Sequence, residues 1–281
     1  MNNYIIKYYT IKFKSDKQLV LEILCNANCN LNCCCCFRQA PLCKNDPRIY
    51  KLDVFEKDLL RIKELGFIMY SFTLTGGEPF LNKDLFKYAD IIEKIYPNVH
   101  TKIFTNGLYL EKCSDEYLQQ IKDYDLFIIF SYYVSAGINY KYITERLRKF
   151  GISYSEFGKA FFGETKYKTH MVKSDLSEVA DENKIEINYN NCMNNCTCLL
   201  NGKLYLCSIL PNIDKINEYF GTSFPLRENI EYVDIYKLKN PDEFFDKIGK
   251  PLDFCKYCNK KKLNFVRWSK SKMERSEWIL E

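Results

Sequence analysis

Between residues 20 and 150 short apolar runs alternate with amphipathic segments, and this alternation restricts the fold more than any other feature of the chain. Residues 20–24 form a short apolar strand. Residues 53–65 read as a helix, with Asp53 placed to cap it, Glu56 three residues on and Gly66 closing it. Residues 67–75 make a strand rich in β-branched and aromatic side chains, and residues 85–96 carry apolar positions at helical spacing until Pro97. A strand over 100–104 runs into Asn106-Gly107, Ser114 opens a helix carrying Leu118 and Ile121, and 126–130 is a continuous apolar strand. A helix over 138–150 ends at Gly151, and a further strand is expected from Ile152. Strands joined by crossover helices make a parallel sheet, either open and doubly wound or curled into a partial barrel. In both, functional groups gather at the C-terminal ends of the strands. That rule brings residues 29–36, 76–78, Asn106 and Ser131 to one edge.

Composition narrows the class. The chain of 281 residues is 47% hydrophobic and 27% charged, as expected of a globular protein able to bury a core. No run of eighteen apolar residues occurs, so no membrane span is expected, and residues 1–17 lack the apolar stretch of a signal peptide. The expected location is the cytoplasm. Fourteen cysteines in a reducing compartment point to metal or catalysis rather than disulfides, and with only two histidines thiolate is the main soft ligand. The net charge of +5 is small. The basic run at Lys260–Lys262, with Arg267, Lys270, Lys272 and Arg275, reads as a solvated face, and no nucleic-acid partner is expected.

The segment Cys29-Asn30-Leu31-Asn32-Cys33-Cys34-Cys35-Cys36 follows the first strand and contains C-x3-C-x2-C. Three thiolates on one loop can hold three irons of a cubane cluster and leave the fourth open to a ligand. Thr75-Gly76-Gly77-Glu78-Pro79 follows the second strand, Phe104-Thr105-Asn106-Gly107 the third, and Ser131 the fourth. In order and spacing this set resembles the radical S-adenosylmethionine (SAM) enzymes. The resemblance implies a partial (β/α)6 barrel in which Cys29, Cys33 and Cys36 hold a [4Fe–4S] cluster. It implies SAM contacts from Gly76 and Gly77, Glu78, Ser131 and, more weakly, Asn106. The residue before the third cysteine is usually aromatic in this family. Here it is Cys35, which leaves only a backbone contact to the adenine there, with Phe37 two residues on. A structural zinc site accounts for the thiolates but not for the Gly76-Gly77-Glu78 motif at the next strand end.

Beyond residue 185 the pattern changes. Leu199–Tyr205 reads as a hairpin, because Asn201-Gly202 suits a type I′ turn. Cys192, Cys196, Cys198 and Cys207 surround it, and Cys255 and Cys258 follow as C-x2-C. The arrangement resembles the shortened auxiliary-cluster (twitch, or SPASM-like) domain of some radical SAM enzymes, which holds a second [4Fe–4S] cluster. Its ligands here would be Cys207, Cys255, Cys258 and one upstream cysteine. Hairpin counting puts Cys196 opposite Cys207, whereas family spacing favours Cys192, and the two stay rivals. A zinc knuckle from the same thiolates is the alternative. Residues 254–258 with Trp268 and Glu277-Trp278 resemble, more faintly, the tail of a subgroup of such proteins.

The expectation is therefore two parts: residues 1–184 as the SAM-binding barrel and 185–281 as the auxiliary domain. The resemblance implies reductive cleavage of SAM to a 5′-deoxyadenosyl radical that abstracts hydrogen from a substrate C–H bond. A reductant of the flavodoxin or ferredoxin type would be a partner. The stretch before Cys29 is too short for a separate peptide-recognition domain, which favours a small, sugar-like substrate and a two-electron oxidation. A maturase acting on a peptide or protein, and a non-catalytic zinc–thiolate binding module, are the competing readings. No residue stands out as acid or base.

Overall fold

A computed structural model describes residues 17–44, 48–157, 170–192, 196–260 and 264–280. The expected alternation is present. Strand β1 spans Gln18–Asn26, helix α1 Leu52–Glu64, β2 Ile68–Gly76, α2 Leu85–Ile95 and β3 His100–Thr105. Then come α3 (Asp115–Asp123), β4 (Phe127–Ser131), α4 (Tyr140–Lys149) and β5 (Tyr154–Phe157). Ser114 caps α3 by accepting from the Tyr117 amide, as its position predicts. Asp53 does not cap α1. The cap position is Lys51, and Asp53 lies in the first turn, where a carboxylate favours the helix dipole instead.

After β6 (His170–Val172) and α5 (Ile185–Asn190), the hairpin forms from β7 (Thr197–Leu200) and β8 (Lys203–Tyr205). Helix α6 (Ile213–Phe220), β9 (Tyr232–Asp234), α7 (Asp242–Phe245) and β10 (Phe265–Arg267) complete the set. The hairpin register is the expected one: Leu200 faces Lys203 and Cys198 faces Tyr205, across a turn with φ of 48° at Asn201 and 73° at Gly202.

Among the described residues the main sheet has eight strands in the order β5-β4-β3-β2-β1-β7-β8-β9. Strands β1 to β5 and β7 run parallel, and β8 and β9 pair antiparallel at the far edge. The fold is mixed α/β with a mostly parallel sheet. Strand β7 lies beyond residue 185 yet pairs with β1, so the N- and C-terminal parts share one sheet. The alternation along each strand divides its faces. Leu21, Ile23, Phe72, Leu74, Ile103, Ile128 and Phe130 pack into the core that includes Phe55, Leu59 and Ile62 of α1 and Ile92 of α2. The opposite face mixes Glu22, Thr73, Thr75, Lys102 and Ser131 with Phe104, Phe127 and Ile129, while Leu24 joins a second apolar core with Cys198, Tyr205 and Ile213. No helix among the described residues is long and apolar enough to cross a membrane.

Lys261 and Lys262 of the basic run lie outside the described residues; Arg267, Lys270 and Lys272 are exposed as expected, and Lys260 departs from the expectation. It is buried and donates its ammonium to the Lys173 carbonyl at 2.6 Å.

Asp58 on α1 joins the hairpin to the barrel side. Its buried carboxylate accepts from the Gly202 amide at 2.6 Å, from the Tyr236 hydroxyl at 2.6 Å and from the Tyr50 hydroxyl. Replacing it strands three donors, two of them on residues deep in the fold. The Asp58→Ala variant is expected to lose about 3 kcal/mol of stability, read by urea denaturation, and Asp58→Asn less.

Candidate active site

The parallel strands end around one cavity of about 190 Å³. Its lining includes Cys29, Cys33 and Cys36 from the loop after β1, Gly76 and Gly77 after β2, Asn106 after β3, and Ser131 at the end of β4. Most of the residues singled out from the sequence thus meet at one place.

The cysteine loop is held by the β2 end. The Gly77 amide donates to the Asn26 carbonyl at 3.0 Å and the Glu78 amide to the Asn28 carbonyl at 2.8 Å. A Cβ on Gly77 would stand 2.1 Å from the Asn28 carbonyl oxygen, and one on Gly76 2.2 Å from that of Asn26. The glycines are therefore needed for the approach of the cysteine loop itself, besides lining the cavity.

Glu78 departs from its expected role. Its fully buried carboxylate accepts from the Thr105 hydroxyl at 2.8 Å, the Asn106 amide at 2.9 Å and the Phe80 amide at 3.2 Å. It ties the end of β2 to the end of β3 and is absent from the cavity lining. Burial pushes its carboxyl up to about 7, against the pull of these three donors. Asn106 lines the cavity and donates to Asn30 at 2.8 Å and to the Cys29 sulfur at 3.7 Å. The Tyr140 hydroxyl shares its proton between the carbonyls of Asn106 at 2.8 Å and Ser131 at 3.0 Å, linking the ends of β3 and β4. Cys35 has a left-handed φ of 54° and packs with Cys34 and Met171 instead of lining the cavity, whereas Phe37 lines it.

Among the described residues no three His, Cys, Asp or Glu side chains are gathered tightly enough to hold a single metal ion, yet Cys29, Cys33 and Cys36 share one cavity and act on one another. Burial raises the Cys29 thiol to about 12 and raises Cys33 and Cys36 too. Glu78 and Cys36 add to the rise at Cys29, and Cys36 and Cys29 to that at Cys33. Thiolates so placed repel one another until a positive centre joins them. N–H groups already point at the sulfurs. The Leu31 amide reaches Cys29 at 3.4 Å, and the Trp268 indole reaches Cys33 at 3.1 Å.

Of the two rivals, Cys192 lies with the other thiols of the second group and Cys196 does not. Cys192, Cys207, Cys255 and Cys258 line a separate cavity of about 50 Å³. Burial raises Cys207 and Cys258, and Cys192 is the next cause at each. Asn188 fastens the C-x2-C turn by donating to the carbonyls of Cys255 at 2.8 Å and Cys258 at 2.5 Å. Cys196 points elsewhere, into the first cavity beside Glu22. The Cys196–Cys207 pairing fails because the ladder stops at Cys198–Tyr205, after which the Leu206 amide turns to the Glu231 carbonyl.

Sequence reasoning missed a charged part of the lining. Glu22 and Arg38 form a buried ion pair there, and Arg38 also donates to the Ser208 carbonyl at 2.8 Å and the Cys198 sulfur at 3.2 Å. His170, Met171 and Val172 of β6 and Tyr132 and Tyr133 complete the lining. The isolated charge Glu22 inside an apolar strand was the available signal.

Residues 23–158 match the family model described as the radical SAM superfamily. The fold is similar to that of BtrN in complex with AdoMet and 2-DOIA, at 15% identity and a TM-score of 0.52, over 87% of this chain and 96% of that one. It is also similar to native anSMEcpe with bound AdoMet, at 14% identity and a TM-score of 0.51, over 85% and 82%. The match to anSMEcpe with AdoMet and the Cp18Cys peptide has 18% identity and a TM-score of 0.37. It covers 50% of this chain and spans less than half of that chain's length, 42%. No curated protein matches the sequence.

Two outcomes follow from this geometry. Gly77→Ala is expected to displace residues 27–28 and abolish iron retention by the loop while leaving helix content unchanged, measured by iron analysis and far-ultraviolet dichroism. Glu78 is an acid raised on folding, so the native state holds its proton more tightly than the unfolded chain. Its contribution to stability is greatest below pH 4.5 and falls as pH rises to about 7. Relative to Glu78→Gln, which cannot titrate, the wild type is expected to lose about 3 kcal/mol between pH 4.5 and 7.5.

Proposed function

We propose that this chain is a radical SAM enzyme that cleaves SAM reductively and abstracts hydrogen from a C–H bond of a small, sugar-like molecule, completing a two-electron oxidation. The observation that carries this reading is the convergence of Cys29, Cys33 and Cys36 with Gly76, Gly77, Asn106 and Ser131 on one cavity. A [4Fe–4S] cluster on the three thiolates, when bound, supplies the electron that breaks a carbon–sulfur bond of SAM. The carbonyls at Gly76 and Gly77 accept from the ammonium of SAM, Ser131 binds the ribose, and Asn106 holds the loop at Cys29. Glu78 positions the β3 turn rather than touching SAM. Glu22, Arg38 and Ser208 in the lining suit a hydroxyl-rich substrate, and Phe37, Phe104, Met171 and Val172 keep water from the reacting carbon.

Residues 185–281 are assigned the auxiliary role, with Cys192, Cys207, Cys255 and Cys258 as ligands of a second cluster that accepts the substrate's second electron. A flavodoxin- or ferredoxin-type protein is the proposed reductant, and the cytoplasm the proposed location.

The deciding experiment is anaerobic reconstitution of the wild type beside a Cys29→Ala, Cys33→Ala, Cys36→Ala variant. The wild type is expected to hold about eight irons, as two cubanes require, and to release 5′-deoxyadenosine from SAM with dithionite. The variant is expected to hold about four irons and release none. About four irons in the wild type with cleavage intact assigns the second site to zinc. Zinc without iron or cleavage overturns the enzyme reading in favour of a thiolate binding module. Modification of a short peptide, with sugars ignored, replaces the substrate class.

A further inference from the structure

The end of the chain returns to the beginning. After the Cys255–Cys258 turn, β10 pairs antiparallel with β6, and the next residues run along the cysteine loop. Cys33 and Lys270 form an antiparallel bridge. The Cys34 amide donates to the Ser269 carbonyl at 2.9 Å and the Ser271 amide to the Asn32 carbonyl at 2.8 Å. The Asn32 side chain donates to the Ser271 carbonyl at 3.0 Å. Glu277 pins this strap by accepting from the Ser271 hydroxyl at 2.6 Å and the Lys272 amide at 2.7 Å.

Two indoles finish the contact, and they differ in kind. Trp278 is fully buried and donates to the backbone carbonyl of Cys36 at 2.8 Å. Trp268 is only partly buried, leans toward the Tyr133 ring at 6.5 Å, and donates its indole N–H to the Cys33 sulfur at 3.1 Å. A ring used only for packing needs no donor on a thiol. A hydrogen bond to a ligating sulfur stabilises the more negative, reduced state of a cluster and so raises its potential.

We infer that Trp268 is a positioning residue that sets the reduction potential of the cluster on Cys33, and that the C-terminal strap delivers it. This rests on the reading of the Cys29–Cys36 loop as a cluster site.

The test uses the reconstituted full chain labelled with ¹⁵N-indole tryptophan. Redox titration by electron paramagnetic resonance follows the reduced signal that changes on adding SAM, which marks the first cluster. Trp268→Phe keeps the ring and removes the donor. It is expected to retain wild-type iron, to shift the midpoint to more negative potential, and to lose a ¹⁵N coupling that the wild type shows in the pulsed spectrum. Trp278→Phe, whose donor meets a carbonyl, is expected to lower stability and leave both readings of its folded fraction at wild-type values. A Trp268→Phe midpoint equal to that of the wild type overturns the inference and leaves the proposed function standing. A wild type that binds no iron on the loop overturns both.

Discussion

A loop that offers three thiols to one centre can be neither strand nor helix, so its backbone must find partners elsewhere. Here they come from the next strand end: Asn26 and Asn28 take the amides of Gly77 and Glu78 at a separation that a Cβ would forbid. Everything around the cavity hangs on that approach. Glu78, placed by it, reaches Thr105 and Asn106, and Tyr140 passes the link on to Ser131. The strand ends are thus laced in the order in which they occur in the sheet. The rigidity of the site comes from backbone and buried polar groups rather than from apolar packing.

The same groups define its electrostatics. One buried and two half-buried thiols, with a buried carboxyl near Cys29, are poor company without a cation, and each is pushed toward its neutral form. A site of this kind is polarised for a positive occupant. Arg38 pairs with Glu22 close to the loop, and its charge also pulls the Cys36 thiol down, against the rise that burial causes.

Much of this was legible in the sequence, because parallel-sheet periodicity and the order of motifs are local signals. The strands, the crossover helices, the hairpin register around Asn201-Gly202 and the grouping of Cys29, Cys33, Cys36, Gly76, Gly77, Asn106 and Ser131 all follow from spacing. What escaped depends on contacts between distant segments. Glu78 reads as a ligand contact until Thr105 and the Asn106 amide are seen to occupy it. Cys196 reads as the partner of Cys207 until the ladder is seen to end two pairs earlier. Asp53 reads as a cap, yet the helix begins one residue before it. Trp268 and Trp278 belong to the faint tail resemblance, but nothing local says that they turn back to Cys33 and Cys36.

The strap also fixes an order of events in the life of the chain. A polypeptide leaves the ribosome N-terminus first, and its early segments can fold while later ones are still being made. The cysteine loop is made before β7, which flanks β1, and before residues 269–271, which cover Asn32–Cys34. Until those later segments arrive the loop stands uncovered, with its thiols open to oxygen and stray metals. It becomes a finished site only when the last tryptophan is in place.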